Sequence, residues 1–415
     1  MEHKFKTEVK SETGELQAVI LHTPGQEIEN MTPQNAEKAL YSDILNLSVA
    51  TPEYAQMKGV LSKLTKTFEV TDLLENVLEN KTAKEKLLKN ICEKENQTEI
   101  YEDLVSMNAG LLASQLMQGV LMKKNTLTKY MSEDVYALRP LHNFFFTRDA
   151  SMSVGNHVLI GKMKSPVRAG ESMIMEAIFN YNSYFSSETL NPAYDPEFKN
   201  ATVEGGDFLV AREDIYLIGV GDRTNTSGVD YVLKKIKESR EKRHIIIQQL
   251  PKTPESFIHL DMVFTLLDKT HCMVYAPLIL TPNQYRTIHI TADNGKAVSI
   301  KDENNLLSAL KNLGMDLEPV YCGGSKDLRI QEREQWHSGA NFFAFAPGKV
   351  LGYGRNVYTM EAMNRAGFEI IKAVDVISDK VNVDDYKRCV VTIEGSELAR
   401  GGGGCRCMTM PILRK

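Results

Sequence analysis

The sequence predicts an α/β protein built from a radial or stacked array of ββα-type units, with an all-helical segment inserted towards its N-terminal end. Three observations lead there. From residue 140 onward one pattern returns: a strand, a tight turn, a second strand, often an arginine, then a helix. Its instances are Ala150–Arg168 turning at Gly155-Asn156, Asp207–Arg223 turning at Arg212-Glu213-Asp214, Val263–Leu278 turning at Asp268-Lys269, and Asn341–Arg355 turning at Pro347-Gly348. Such self-similarity marks repeated supersecondary units rather than one doubly wound sheet, and it sets equivalent strand ends around a common axis. Second, no proline occurs between Pro52 and Pro140, and between Gly59 and Arg139 only Gly110 and Gly119 interrupt a stretch rich in strong helix formers. Third, the apolar run Leu16–Thr23 closes at Pro24-Gly25 and reads as a buried strand entering a turn.

Along the chain, Thr32-Pro33 is an N-cap with proline at the first helical position, and Pro52 is expected to open a second helix reaching about residue 66. Phe68–Leu74 reads as a strand. Residues 75–136 form the helical insertion, with apolar residues at helical spacing such as Leu111, Leu112, Leu116 and Val120. This segment acts either as a lid or oligomer surface, or as a packing buttress for the α/β body.

Composition removes several function classes. At 415 residues the chain exceeds the size at which a single core usually stops growing, so an insertion or second domain is expected. The 49 basic and 54 acidic residues are intermixed, with a formal net charge of −5, which leaves no basic footprint for nucleic acid or acidic membranes. Neither a basic-then-apolar start nor a run of 18 apolar residues is present, so a cytoplasmic location is expected. Six cysteines are too few for a disulfide scaffold in this length and are read as reduced thiols.

The candidate chemistry gathers in four places. Arg400-Gly401-Gly402-Gly403-Gly404-Cys405-Arg406-Cys407 ends in Met-Thr-Met-Pro-Ile-Leu, which is too apolar for a solvated tail and should dock. Consecutive glycines belong where the main chain takes positive φ or lies close to another group, and a guanidinium beside a thiol favours the nucleophilic thiolate. Phe146-Thr147-Arg148-Asp149, Glu204-Gly205-Gly206-Asp207 and His259-Leu260-Asp261 supply the acids and the base. Fifty-five residues separate Asp149 from Glu204 and again Glu204 from His259, the spacing expected if each repeat contributes one residue to a shared site. Taken singly, Arg148-Asp149 is most often a surface or structural ion pair, and Glu-Gly-Gly-Asp is equally a tight turn with a solvated carboxylate. In an alternating strand His259 and Asp261 share a face, which suits a metal pair or an acid/base pair. A metal site of His259, Asp261 and Cys407 lacks a second histidine at ligand spacing.

Together these motifs, in this order, resemble the arginine deiminases of the guanidine-modifying (pentein) superfamily, and the match runs from Ser11-Glu-Thr-Gly-Glu to the terminus. The resemblance implies a five-bladed propeller of ββαβ-type units with pseudo-fivefold symmetry, formed by residues 1–74 and 137–415, and an all-helical insertion at 75–136. It implies hydrolysis of free L-arginine to L-citrulline and ammonia through a covalent Cys407 thiouronium, serving arginine catabolism. Asp149 and Asp261 would grip the guanidinium, His259 would act as acid then base, and Glu204 would hold it in register. Asn143, Arg168 and Arg223 match the contacts to the substrate's α-amino-acid end; Phe146, Arg400 and Arg406 are further substrate-binding candidates. No cofactor and no metal are implied, the partner is the small substrate rather than nucleic acid or membrane, and an oligomer of identical chains is expected. Relatives often carry an arginine within the glycine run; here Arg400 precedes it and Arg406 follows, and Cys405 is peculiar to this chain. Agmatine deimination, methylarginine hydrolysis, amidino transfer, or guanidine binding without catalysis are the rival readings.

Overall fold

A computed structural model of the protein describes residues 4–36, 40–41 and 43–415. Its mixed α/β fold carries the strands in six small sheets among the described residues, all of them open. Five share one strand logic: an antiparallel pair, then a third strand parallel to the second. Ser151–Val154 and His157–Ile160 pair antiparallel and are followed by Glu188–Leu190. Phe208–Arg212 and Ile215–Val220 are followed by Arg243–Gln249, and that sheet extends through Thr287–Asp293 to Lys296–Glu303. Phe264–Leu266 and His271–Val274 are followed by Glu318–Tyr321. Phe343–Ala346 and Lys349–Tyr353 are followed by Cys389–Ile393. The remaining sheet joins distant parts of the chain, with Met410–Arg414 antiparallel to Leu16–Leu21 and Lys66–Glu69 parallel to it. Each of the four hairpins expected from sequence is present, and Met408, Met410 and Ile412 are buried, so the C-terminal segment docks as its apolarity requires.

Several elements differ from expectation. The helix after Thr32 runs over Pro33–Ala36, and its expected continuation at 37–39 lies outside the described residues. Pro52 does not open a helix but sits inside Leu47–Leu64, because Asn46 caps that helix by accepting from the Ser48 amide. The strand expected through Leu74 stops at Glu69, and Val70–Glu79 is a helix. Its buried residues, Val70, Leu73, Leu74, Val77 and Leu78, recur at the helical period, so the apolar run served a helix face rather than a strand. The insertion is mainly helical through Lys81–Lys94, Tyr101–Ser106, Ala109–Gln118 and Leu127–Met131, but Val120–Leu121 pairs with Tyr136–Leu138. Its buried apolar residues join those of the body: Val77, Leu88 and Leu112 share one apolar cluster with Ile160, Ile174 and Phe179. His259-Leu260-Asp261 is not strand, since Leu260–Met262 is a single 3-10 turn ahead of Phe264–Leu266.

One buried carboxylate fixes the approach to the glycine run. Glu53, on Leu47–Leu64 and 2% exposed, accepts from the Ser396 amide at 2.7 Å, the Glu397 amide at 3.0 Å and the Leu398 amide at 2.9 Å. These N–H groups open the 3-10 turn Leu398–Gly401, whose first donors have no partner within the turn. Glu53→Ala strands the buried Glu397 and Leu398 amides and is expected to cost about 2–6 kcal/mol, at roughly 1–3 for each orphaned group. Denaturant midpoints of the two proteins measure it; an unchanged midpoint contradicts this account.

Candidate active site

The ends of the hairpin units converge on a cavity of about 140 Å³. Cys407, His259 and Asp149 line it together with Asn143, Phe146, Arg168, Arg223 and Arg400. Glu204 and Asp261 are fully buried behind the wall, each touching a residue that lines it.

Cys407 leaves the glycine run on a backbone clamped by Asn341. The Asn341 side-chain oxygen accepts from the Arg406 amide at 2.9 Å and the Cys407 amide at 3.3 Å, while its Nδ2 donates to Cys407 Sγ at 3.2 Å and to the Asp261 carbonyl at 3.1 Å. A Cβ on Gly404 would lie 2.7 Å from the Asn341 side chain, so only glycine lets the loop come this close. Burial pushes the Cys407 thiol well above its ordinary value, and the Asp261 and Asp149 carboxylates push it the same way.

His259 is held from one side. Its Nε2 lies 3.0 Å from Glu204 Oε2, whereas Nδ1 has no hydrogen-bond partner among the described residues and faces Asp149 Oδ1 at 3.6 Å. Burial disfavours the imidazolium, yet Asp149, Glu204 and Asp207 outweigh it and lift His259 to about 9. Burial raises Glu204, but His259, Arg223 and Arg168 more than reverse that and bring it to about 2. Gly206 packs against the imidazole so closely that a Cβ would collide with it. Asp207 Oδ1 accepts from the Leu260 amide at 2.9 Å and fixes the turn behind His259; burial holds its carboxyl at about 7.

The arginines divide sharply. Arg168 Nη1 donates to Asp149 Oδ2 at 2.7 Å, its Nε and Nη2 fork onto Glu171 at 3.0 and 2.8 Å, and it reaches the Asn143 and Phe146 carbonyls. Arg406 points away from the cavity: Nε and Nη2 pair with Glu12, each at 3.0 Å, and Nη1 with Asp261 at 2.8 Å. The expectation that its guanidinium sits beside the thiol is therefore corrected, because two buried carboxylates compete for it. Arg400 pairs with Asp43 and Glu397 at the cavity mouth. Arg223 is the least committed, with Glu204 and Asp222 each at 3.8 Å.

All five expected catalytic residues meet in one place, as do the cavity-lining Asn143, Phe146, Arg168, Arg223 and Arg400; Arg406 alone of the expected binders stays outside the lining. Sequence reasoning missed Asn341, Glu171 and Glu12. Asn341 opens the fourth hairpin unit as Asp149 opens its own, so the repeat pattern carried a signal for it. Asp149, Glu204 and His259 each offer a donor atom within 4.8 Å of the others, a geometry that a metal ion could also use.

A buried thiol and imidazole ringed by carboxylates sit at the centre of a fold of small open sheets. Solved structures share that fold: the N-terminal domain of ArgZ bound to product, an arginine dihydrolase from cyanobacteria, aligns over 96% of this chain and 98% of its own at TM-score 0.53 and 12% identity. DDAH from Pseudomonas aeruginosa, complexed with citrulline, aligns over 96% and 99% at TM-score 0.51 and 12% identity. A family model described as "ADI: Arginine deiminase" matches residues 37–414. Arginine deiminase of Bacillus cereus (strain B4264) is 33% identical over 433 residues, covering 99% of both chains, and that of Listeria monocytogenes serotype 4a (strain HCC23) is 32% identical over 98% of this chain and 97% of its own. The chain belongs to the arginine deiminase family.

The His259 charge has a consequence for stability. Its folded value of about 9 lies above the ordinary 6.5, so the stabilisation is complete below pH 6.5 and is lost as pH rises through about 9. Melting temperatures measured from pH 6 to 10 should fall on the alkaline side, and His259→Asn should flatten that limb. A variant with the wild-type slope would assign the alkaline loss to another group.

Proposed function

We propose that this enzyme hydrolyses free L-arginine to L-citrulline and ammonia through a thiouronium on Cys407. The observation that carries the reading is that the Cys407 thiol, the unpartnered Nδ1 of His259 and the Asp149 carboxylate open into one cavity. A guanidinium is planar and cationic, so carboxylates can grip its edges while a nucleophile approaches the central carbon. Bound next to Asp149, that cation counters the two carboxylates that hold the thiol proton in place, and the thiol ionises against the substrate, its proton passing to solvent. Sulfur adds to the central carbon. His259, cationic up to about pH 9, gives its Nδ1 proton to the departing amine, and ammonia leaves. The neutral imidazole then takes a proton from water; hydroxide adds to the thiouronium, and collapse releases citrulline and the thiolate. Glu204 keeps Nε2 occupied throughout, so Nδ1 remains the working nitrogen. Asp261, 3.8 Å from Cys407 Sγ, acts on both sulfur and substrate charge.

In the same reading the five sheets of common strand logic are the blades of a pseudo-fivefold propeller formed by 1–74 and 137–415, and 75–136 is the inserted helical domain, a buttress that shares its core with the body. Among the described residues no helix is long and apolar enough to cross a membrane, which supports the cytoplasmic reading. Exposed Leu121, Leu127, Tyr130 and Met131 on the insertion support an oligomer of identical chains. The enzyme acts without cofactor, metal, nucleic acid or membrane.

Purified protein incubated with L-arginine should release citrulline and ammonia in equal amounts; no citrulline refutes the reading. Cys407→Ser should abolish turnover while Cys405→Ser keeps most of it, and equal losses would remove the nucleophile assignment.

The carboxylate clamp is tested by agmatine, which lacks only that group. Arg223, loosely paired at the cavity, is the contact with capacity to spare, whereas Arg168 is already spent on Glu171 and Asp149. Arg223→Ala should narrow the arginine-over-agmatine ratio of kcat/KM by roughly ten- to a hundredfold, the worth of a charged hydrogen bond. Arg168→Ala should injure both substrates alike. The reverse pattern would exchange the two roles.

A further inference from the structure

Sulfur carries negative charge twice in the proposed cycle. The thiol loses its proton to solvent before addition, and in the second collapse the carbon–sulfur bond breaks with its electron pair returning to sulfur. Cys407 is a poor place for that charge: burial, Asp261 and Asp149 all disfavour the thiolate, and the Gly404 backbone and Arg406 oppose them only in part. His259, Arg168, Arg223, Arg400 and Glu255 line the same cavity.

Asn341 holds a donor against this sulfur, and its neighbours dictate which way the amide faces. Two backbone N–H groups, of Arg406 at 2.9 Å and Cys407 at 3.3 Å, meet one atom of the side chain. An N–H can only donate, so that atom is Oδ1 and the opposite one is the NH2 group. Its hydrogens are therefore aimed at Cys407 Sγ, 3.2 Å away, and the Asp261 carbonyl, 3.1 Å away, with Met262 Sδ a longer contact at 3.7 Å. Asn341 is 1% exposed, which keeps water from competing for these bonds, and its own amide is fixed on the Ser338 carbonyl at 3.1 Å. A neutral thiol accepts such a bond weakly, whereas a thiolate accepts it as a charge-assisted one, so the contact gains strength as charge arrives.

We propose that Asn341 is a further catalytic residue, whose Nδ2 donates to the Cys407 sulfur and stabilises the thiolate both when it forms and when it is expelled from carbon. The inference rests on the reading that Cys407 is the nucleophile. One side chain thus does two separable things. Oδ1 shapes the backbone that presents the thiol, and Nδ2 acts on the sulfur itself; the first sets position, the second sets how readily the sulfur ionises.

Asn341→Asp separates the two, because it keeps an oxygen for the backbone amides and brings no amide hydrogen to the sulfur; Asn341→Ala removes both. Alkylation of Cys407 by iodoacetamide without substrate, followed by peptide mass from about pH 6 to 10, reads the ionisation. Both variants should move its midpoint upward by roughly one to two pH units and lower kcat by about ten- to a hundredfold, the worth of a hydrogen bond to a charged group. Asn341→Asp should leave KM for arginine within about threefold, since substrate contacts are untouched. A wild-type midpoint or an unchanged kcat in either variant overturns the proposal. In the unmodified protein the Asn341 side-chain amide protons should shift downfield in the NMR spectrum through the same midpoint; resonances that stay put as Cys407 ionises overturn it too, whether or not the variants fold. Turnover surviving in Cys407→Ser would overturn the nucleophile reading instead, a failure that the substrate-free alkylation does not share.

Discussion

Charge in a low-dielectric interior has to be matched, and that constraint organises the centre of this molecule. Arg406 is 1% exposed and yet spends its guanidinium fully, on Glu12 from the N-terminal segment, on Asp261 from the third hairpin unit and on the Phe208 carbonyl from the second. Burial disfavours the Glu12 carboxylate, but Arg406 and Arg148 overcome this and bring it to about 2. Among the described residues Arg148 has no carboxylate within ion-pair distance; burial first, then Arg406, holds it down at about 9, and it leans on the Arg406 carbonyl and Thr409. Removing one member of such a lattice leaves another charge unmatched at a cost of roughly 3–5 kcal/mol. The hairpin ends are therefore fixed with respect to one another by ion pairs that cannot be undone singly.

From that lattice the working groups inherit their positions. Asp261 is held by Arg406 and in turn stands 3.8 Å from the Cys407 sulfur; Asn341 ties the Asp261 carbonyl to the nucleophile's own backbone. On the opposite side Glu171, Arg168 and Asp149 form a second chain of charge that ends beside His259. The Cys407 thiol and the His259 imidazole are thus flanked by two ionic chains, one through Glu12, Arg406 and Asp261 and the other through Glu171, Arg168 and Asp149. Neither relies on a flexible loop for its aim.

The hairpins were legible because strand, turn and strand obey short-range rules, and the recurrence of acids and histidine at their entrances pointed to one shared site. Cys407, His259, Glu204, Asp149 and Asp261 could be picked out because their chemistry is scarce and their neighbours are distinctive. Boundaries were less legible where two periods fit one apolar run: Phe68–Leu74 looked like one strand because the first residues of the helix Val70–Glu79 were read through a window that began in a true strand, Lys66–Glu69. The direction of Arg406 was hidden for another reason. Proximity in sequence to Cys407 says nothing about Glu12, almost four hundred residues away, and only the folded chain lets the two compete. Asn341 went unread, although it opens its unit as Asp149 does, because an amide is chemically unremarkable until its two faces are both in use.

The contact between Arg168 and Asp149 gives the end of the cavity a fixed orientation. Asp149 Oδ2 is tied to the Arg168 guanidinium and Oδ1 to the Gly206 amide, so in the proposed reading the carboxylate meets an arriving cation in one set plane. A flat, forked guanidinium can lie along such an edge, whereas an ammonium of equal charge, as on lysine or ornithine, has a rounder donor set and gains less from it.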